Sequence, residues 1–217
     1  MSGGHIAAAV LLGIGGYLLG AIPFGVLVGR WSKGVDIRQH GSGNIGTTNA
    51  YRVLGTRAGT LVLTCDIAKG VLPAAIAGHY FAPWLAVILA ALPVIGHLRS
   101  IFLGGGGGKG AATGGGVVLG LMWPVFLLVL ATFLLVLLTA RMVSAASLVA
   151  AVVFPLVVWL TDQPLPYLIV SIVLGALVVI AHHANIRRIL SGKEQRFSFS
   201  RHREDAAPHS NAGAPGS

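Results

Sequence analysis

The sequence predicts an all-α integral membrane protein of about seven transmembrane helices, with its N-terminus outside and its C-terminus in the cytoplasm. Three observations carry that expectation. The chain of 217 residues is 55% hydrophobic and only 10% charged, with a mean hydropathy of +0.83, far more apolar than a water-soluble domain. Its apolar runs are long enough, or nearly so, to cross a hydrocarbon core of roughly 30 Å as helices rising 1.5 Å per residue. The basic residues that give a net charge of +9 fall in short clusters between those runs, as in the cytoplasmic loops of membrane proteins rather than as in a nucleic-acid-binding surface.

The expected spans are residues 6–29, 57–78 and 84–98, then two from the run 111–139, then 143–160 and 166–184. The run 111–139 is divided at Trp123 and Pro124 because it exceeds one comfortable crossing and proline breaks a helix. Pro164 and Pro166 mark the turn before the last span. Arg30, Lys33, Arg38, Arg52 and Arg57 follow the first span, Arg99 and Lys109 the third, Arg141 the fifth, and Arg187, Arg188, Lys193 and Arg196 the last. The connections near 79–83, 123 and 161–166 carry no Lys or Arg. The positive-inside rule therefore places the first group in the cytoplasm. No Lys or Arg precedes the first apolar run, which is also too long for a typical signal peptide, so it reads as an uncleaved helix. Residues 1–196 form one transmembrane domain, and 197–217, rich in Gly, Pro, Ser and charge, read as a disordered cytoplasmic tail. Cys65 is the single cysteine, so no disulfide framework or thiolate metal site is built.

This topology gathers the unusual polar segments on one side of the membrane. "GSGNIGTTNAYRVLG" (41–55) combines Gly41, Gly43 and Gly46, which allow close backbone approach, with the hydroxyls of Ser42, Thr47 and Thr48, the amides of Asn44 and Asn49, and the planar fork of Arg52. Such a set suits an anion, although an ordinary flexible loop has a similar composition. In "GHLRSIFLGGGGGKGAAT" (96–113) five glycines lead to Lys109 and Gly110, and Gly107 and Gly108 beside the lysine can wrap a phosphate at the start of the next helix, near Thr113. It is not a nucleotide-binding P-loop, because Leu103 and Gly110 stand where that pattern needs Gly and Ser or Thr.

Asp66 and Lys69 in "CDIAKG" (65–70) share a helical face and read as a structural ion pair at membrane depth. His97 and His182 end apolar runs, where a histidine also suits a helix C-terminus. The six carboxylates do not cluster with histidines at metal-ligand spacing, so no metal site is expected.

Taken together, "SGNIGTTNAYRVLG", "DIAKG", "GH" followed by "FLGGGGGKGAAT", and "HHANIRRILSGKE" resemble, in order and spacing, the bacterial membrane glycerol-3-phosphate acyltransferases that use acyl phosphate as donor. The resemblance covers about residues 18–197. It implies transfer of an acyl chain from acyl phosphate to the sn-1 hydroxyl of glycerol 3-phosphate, giving lysophosphatidic acid and inorganic phosphate in phospholipid synthesis. It also implies no cofactor, a bacterial inner membrane location and a site facing the cytoplasm. Ser42, Asn44, Gly46, Thr48, Asn49 and Arg52 match the family's first motif; Asp66, Lys69 and Gly70 its second element; Gly96, His97, Phe102, Gly107, Gly108, Lys109, Gly110 and Thr113 the next; and His182, Asn185, Ile186 and Glu194 the last. Two positions depart from it: Gly105 and Gly106 replace a usual Phe-Lys, and Ala181-His182 a usual Arg-His.

On that resemblance, Arg52 and Lys109 neutralise phosphate, Ser42 and Asn49 position glycerol 3-phosphate, Asn185 completes the pocket, and His97 or His182 orients a phosphate or donates to the developing oxyanion. Gly43, Asn44, Gly46, Thr48, Gly107, Gly108, Gly110 and Thr113 line the phosphate sites. Arg99 is a candidate replacement for the lysine absent at position 106. The competing readings are a transporter for a phosphorylated metabolite and a catalytically weakened homologue, the latter motivated by Gly105, Gly106 and Ala181.

Overall fold

A computed structural model describes residues 2–196, and the expected tail at 197–217 lies outside the described residues. Ten α-helices and two short 3₁₀ turns make up the described chain. Helix α1 (Gly3–Ala21) is followed by α2 (Phe24–Lys33), α3 (Thr47–Leu54), α4 (Thr56–Tyr80) and α5 (Pro83–Leu98). After the glycine-rich loop come α6 (Ala111–Leu121), α7 (Trp123–Ala140), α8 (Val143–Leu160), α9 (Leu165–Ala181) and α10 (His183–Leu190).

All seven apolar stretches are helical, and the chain is an all-α integral membrane protein. Five are individually long and apolar enough to cross a bilayer, and α9 with α10 forms a sixth candidate bent by 61°. Helix α6, at 11 residues, reaches only about half a hydrocarbon core. The division of 111–139 falls at Met122, as Pro124 requires near a helix start.

The first expected span is interrupted. Ile22 takes an extended conformation ahead of Pro23, as residues before proline do, and α2 leaves as a separate helix. Apolar residues on both sides of the break hide it from hydropathy. Helix α2 then stops at Gly34, whose φ of +66° sets a left-handed cap; its N–H donates to Arg30 O, and Val35 N–H donates to Gly29 O. The 41–55 segment also contains more regular structure than a flexible loop, because α3 occupies its second half.

Small residues let the helices that carry the polar segments meet backbone to backbone, the usual basis of packing where lipid removes any hydrophobic advantage. A Cβ on Gly70 of α4 would fall on Thr113 O of α6, and one on Gly116 of α6 would fall on Ile67 O of α4. Helices α1 and α5 meet in the same way, Gly20 against Pro93 and Gly96 against Tyr17 O. Around these crossings Ala74, Val87, Ala90, Val94, Val117 and Leu174 form the central apolar cluster. Lys69, His97 and the glycine loop are thereby held on rigid, closely crossed helices. Helix α7, with only Val125 buried, lies at the periphery.

Candidate functional site

The first polar segment is organised by Asn49, which is 1% exposed. Its Oδ1 accepts from Ser42 N–H at 2.9 Å, and its Nδ2 donates to Ile37 O at 2.9 Å, Asn44 O at 2.8 Å and His40 O at 3.2 Å. The amide is thus committed to backbone, and Asn49, expected to position glycerol 3-phosphate, shapes the loop. Asn44 behaves similarly, its Oδ1 accepting from Gly46 N–H at 2.8 Å in a side-chain turn. Gly43, at φ +70°, takes the left-handed turn between Ser42 and Asn44. Ser42, Thr48 and Arg52 remain exposed on the rim of this loop. Upstream, the Arg38 guanidinium clasps Asp36 at 2.6 Å, with its own backbone N–H and Arg30 adding to the contact, and holds that carboxyl well below the usual carboxylate range.

The glycine loop leaves α5 at His97 and folds back on it. Gly108 N–H donates to His97 O at 3.0 Å, Ser100 N–H to Gly106 O at 2.9 Å, and Gly105 N–H to Ser100 O at 2.9 Å. Ser100 Oγ–H donates to Ala21 O at 2.6 Å, and the Tyr17 hydroxyl donates to Arg99 O at 2.9 Å, so the loop is tied to α1. A Cβ on Gly107 would fall on the carbonyl oxygens of both His97 and Leu98, and one on Gly108 would fall on the His97 imidazole. Gly110, at φ +77°, caps α6 and turns the first N–H groups of that helix toward the loop. Thr113, expected to contact substrate, is instead wholly buried at the α4–α6 crossing, where its hydroxyl meets no hydrogen-bond partner among the described residues. Arg99 is exposed and forms no side-chain hydrogen bond among the described residues.

Lys109 leads from this loop to the C-terminal segment. Its Nζ donates to Asn185 Oδ1 at 2.5 Å; Asn185 Nδ2 donates to Glu194 Oε1 at 2.7 Å. The same carboxylate accepts from Ser144 Oγ–H at 2.6 Å and from Arg188 Nε–H at 2.7 Å. Burial lowers the Lys109 pKa, and repulsion from Arg188 and Arg52 lowers it further, against the attraction of Glu194. Two guanidinium groups and one carboxylate thus act electrostatically on Lys109. His182 is buried beside them, and its Nδ1–H donates to Val178 O at 2.8 Å, so the neutral ring keeps its lone pair on Nε2.

Burial raises the pKa of Glu194, but its hydrogen bonds with Ser144, Asn185 and Arg188 outweigh this and leave it below its ordinary 4.5. A depressed folded-state value means that its stabilising contribution is complete above the unfolded value and is lost as the pH falls through the folded one. Thermal unfolding in detergent should accordingly fall more steeply below about pH 4.5 in the wild type than in Glu194→Gln. Equal pH slopes in the two proteins would contradict this.

Asp66, Lys69 and His97 form a second buried cluster under the glycine loop. Lys69 Nζ lies 2.8 Å from Asp66 Oδ1 and 2.8 Å from His97 Nδ1, and it donates to Ile22 O at 3.2 Å. The structure thus brings His97, Gly107, Gly108 and Gly110 together beside Lys109, joins Asn185 and His182 to them, and sets Arg52 within electrostatic reach.

The sequence model of the glycerol-3-phosphate acyltransferase family matches residues 10–192. The chain belongs to that family. A glycerol-3-phosphate acyltransferase of Synechococcus sp. (strain JA-2-3B'a(2-13)) is 48% identical over 188 residues, which span 87% of this chain and 94% of that protein. Another from Geobacillus kaustophilus (strain HTA426) is 42% identical over 186 residues, 84% of this chain and 93% of the relative. Two crystal structures of PlsY (YgiH), an integral membrane glycerol 3-phosphate acyltransferase, share 40% identity with it and cover 88% of this chain and 96% of theirs. The glycerol 3-phosphate form superposes with a TM-score of 0.85 and the lysophosphatidic acid form with 0.83.

Two members of the network in this acyltransferase escape the sequence reading. Arg188 stands three residues after Asn185 on α10, a spacing that places both on one helical face, but its charge is indistinguishable from the other topogenic cations. Ser144 opens α8 within an apolar run and carries no local signal at all.

Proposed function

We propose that this acyltransferase takes its acyl chain from acyl phosphate and delivers it to the sn-1 hydroxyl of glycerol 3-phosphate, releasing lysophosphatidic acid and inorganic phosphate. The observation that supports this most strongly is the linkage of Lys109, at the end of the glycine-rich turn, through Asn185 to Glu194 and Arg188, a network whose carboxylate is already satisfied by three donors. Such a site favours two phosphate-bearing molecules and leaves few negative groups to repel them.

The donor is a mixed anhydride, so its carbonyl carbon is already activated. The sn-1 oxygen attacks that carbon, the bond to the phosphate oxygen breaks, and the hydroxyl proton leaves to a phosphate oxygen or to the free Nε2 of His182. Lys109 and Arg52 hold the phosphates and stabilise the charge on the departing one, Asn185 fixes Lys109, and Ser42, Gly43 and Thr48 line the acceptor side of the loop. Ser42 has no histidine or carboxylate hydrogen-bonded to its hydroxyl among the described residues, which supports direct transfer over an acyl-serine. In this reading the enzyme sits in a bacterial inner membrane with the site facing the cytoplasm. In a Cys65→Ala background, Ser32→Cys should resist a membrane-impermeant thiol reagent in intact cells while Gln163→Cys reacts; labelling at Ser32 refutes that orientation.

The donor is tested with purified protein offered acyl phosphate, acyl-CoA and acyl carrier protein in parallel. Only acyl phosphate should support lysophosphatidic acid formation, with the chain on the sn-1 oxygen. Comparable rates with acyl-CoA refute the donor assignment.

A further inference from the structure

Lys69 is a buried ammonium whose surroundings do more than neutralise it. It is 1% exposed and Asp66 2% exposed. Its Nζ forms an ion pair with Asp66 Oδ1 at 2.8 Å and donates to His97 Nδ1 at 2.8 Å and to Ile22 O at 3.2 Å, with the Phe24 ring at 5.6 Å closing the remaining side. Among the described residues Asp66 alone balances the charge, and Asp66 Oδ1 lies 3.9 Å from His97 Nδ1, too far to be the ring's hydrogen-bond partner.

The consequence lies at His97. An ammonium has no acceptor, so the Nδ1 it meets must itself accept, and the ring proton then sits on Nε2. His97 is 4% exposed, and its Nε2 forms no hydrogen bond with a described residue. The ring edge faces the glycine turn: a Cβ at Gly108 would fall on Nε2, so glycine is what leaves that N–H uncovered next to Lys109. His182 is held the opposite way, with its proton on Nδ1.

The geometry points to Lys69 as a positioning residue that locks His97 in the Nε2–H tautomer and so presents that N–H to the phosphate bound at the Gly107–Lys109 turn. This rests on the phosphate reading of the site. Lys69 never touches substrate in this arrangement; it sets the direction of a donor that does, and the break between α1 and α2 is fixed by the same ammonium through Ile22 O.

The test uses the full-length protein labelled with ¹⁵N-histidine in detergent, with His97 assigned by its loss in His97→Gln. In the wild type His97 should show an unprotonated Nδ1 and a protonated Nε2, and inorganic phosphate should shift the Nε2 signal. Lys69→Met should shift the tautomer toward Nδ1–H and lower kcat about ten- to a hundredfold, the range for a lost hydrogen bond to a charged group. KM for each substrate should change far less, because the lost donor acts on charge that develops in the transition state. Lys69→Met strands Asp66, so Asp66→Asn/Lys69→Met, which removes both charges, is measured alongside and should show the same tautomer shift and the same fall in kcat.

A wild-type His97 protonated on Nδ1, or one whose Nε2 ignores phosphate, overturns the proposal. So does a folded Lys69 variant that loses activity with the Nε2–H tautomer intact, or one that changes tautomer without losing activity. A wild-type protein that binds phosphate at His97 but makes no lysophosphatidic acid from acyl phosphate instead refutes the donor assignment alone.

Discussion

Replacing Lys109 with methionine should lower kcat/KM for acyl transfer at least about a hundredfold, the size expected when a charge-assisted phosphate contact of ~2–3 kcal/mol is lost. Lys109 is the cation most completely fixed in the site. Its ammonium is held by Asn185 Oδ1, and that amide is held in turn by Glu194, which Ser144 and Arg188 secure. Burial and the Arg188 and Arg52 guanidinium groups make its charge costly, and a bound phosphate offsets that cost. Methionine keeps most of the side chain's apolar length, so the melting temperature in detergent should change little while activity falls. Arg52→Ala should act in the same direction, with less structural consequence because Arg52 is exposed. A Lys109→Met protein that keeps more than about a tenth of wild-type kcat/KM would remove Lys109 from the transition-state contacts.

The second large effect is a contrast between neighbours in the glycine run. Gly107→Ala should cost about a hundredfold in activity, because its Cβ falls on two backbone carbonyl oxygens and the turn must move by about an ångström, displacing Lys109 with it. Those atoms belong to the end of α5 and cannot rotate away as a side chain would. Gly106→Ala, one residue earlier, meets nothing closer than Leu103 O at 3.4 Å and should retain at least about half of the wild-type rate. The same openness would let position 106 carry a longer side chain without reshaping the loop. Equal losses at 106 and 107 would show that chain flexibility, rather than the close approach at Gly107, governs the run.

The apolar helices were legible because continuous hydropathy and the prolines at 124, 164 and 166 act locally, on composition and on the backbone of the same segment. The break at Pro23 leaves no hydropathy signal, since apolar residues lie on both sides of it. In the site, residue type announced which groups can bind an anion but not which are already occupied. Asn44 and Asn49 offer the same amide to a ligand and to the chain, and only the folded loop shows that the Asn49 amide and the Asn44 Oδ1 are spent on the chain. Thr113 likewise looks available in sequence and is sealed between α4 and α6 by a crossing that Gly70 and Gly116 permit. The pairing of Lys69 with His97 joins residues 28 apart on different helices, and Ser144 reaches Glu194 across 50 residues. No local pattern encodes such contacts.

The central claim, that one phosphate-lined site passes the acyl chain directly from acyl phosphate to glycerol 3-phosphate, is tested most directly by following phosphate release from acyl phosphate in purified protein with and without the acceptor. The account predicts inorganic phosphate and lysophosphatidic acid appearing one for one when glycerol 3-phosphate is present, and neither product nor a burst of phosphate when it is absent. A burst equal to the amount of enzyme without acceptor would reveal an acyl-enzyme, and the absence of release with both substrates present would contradict the acyltransfer itself.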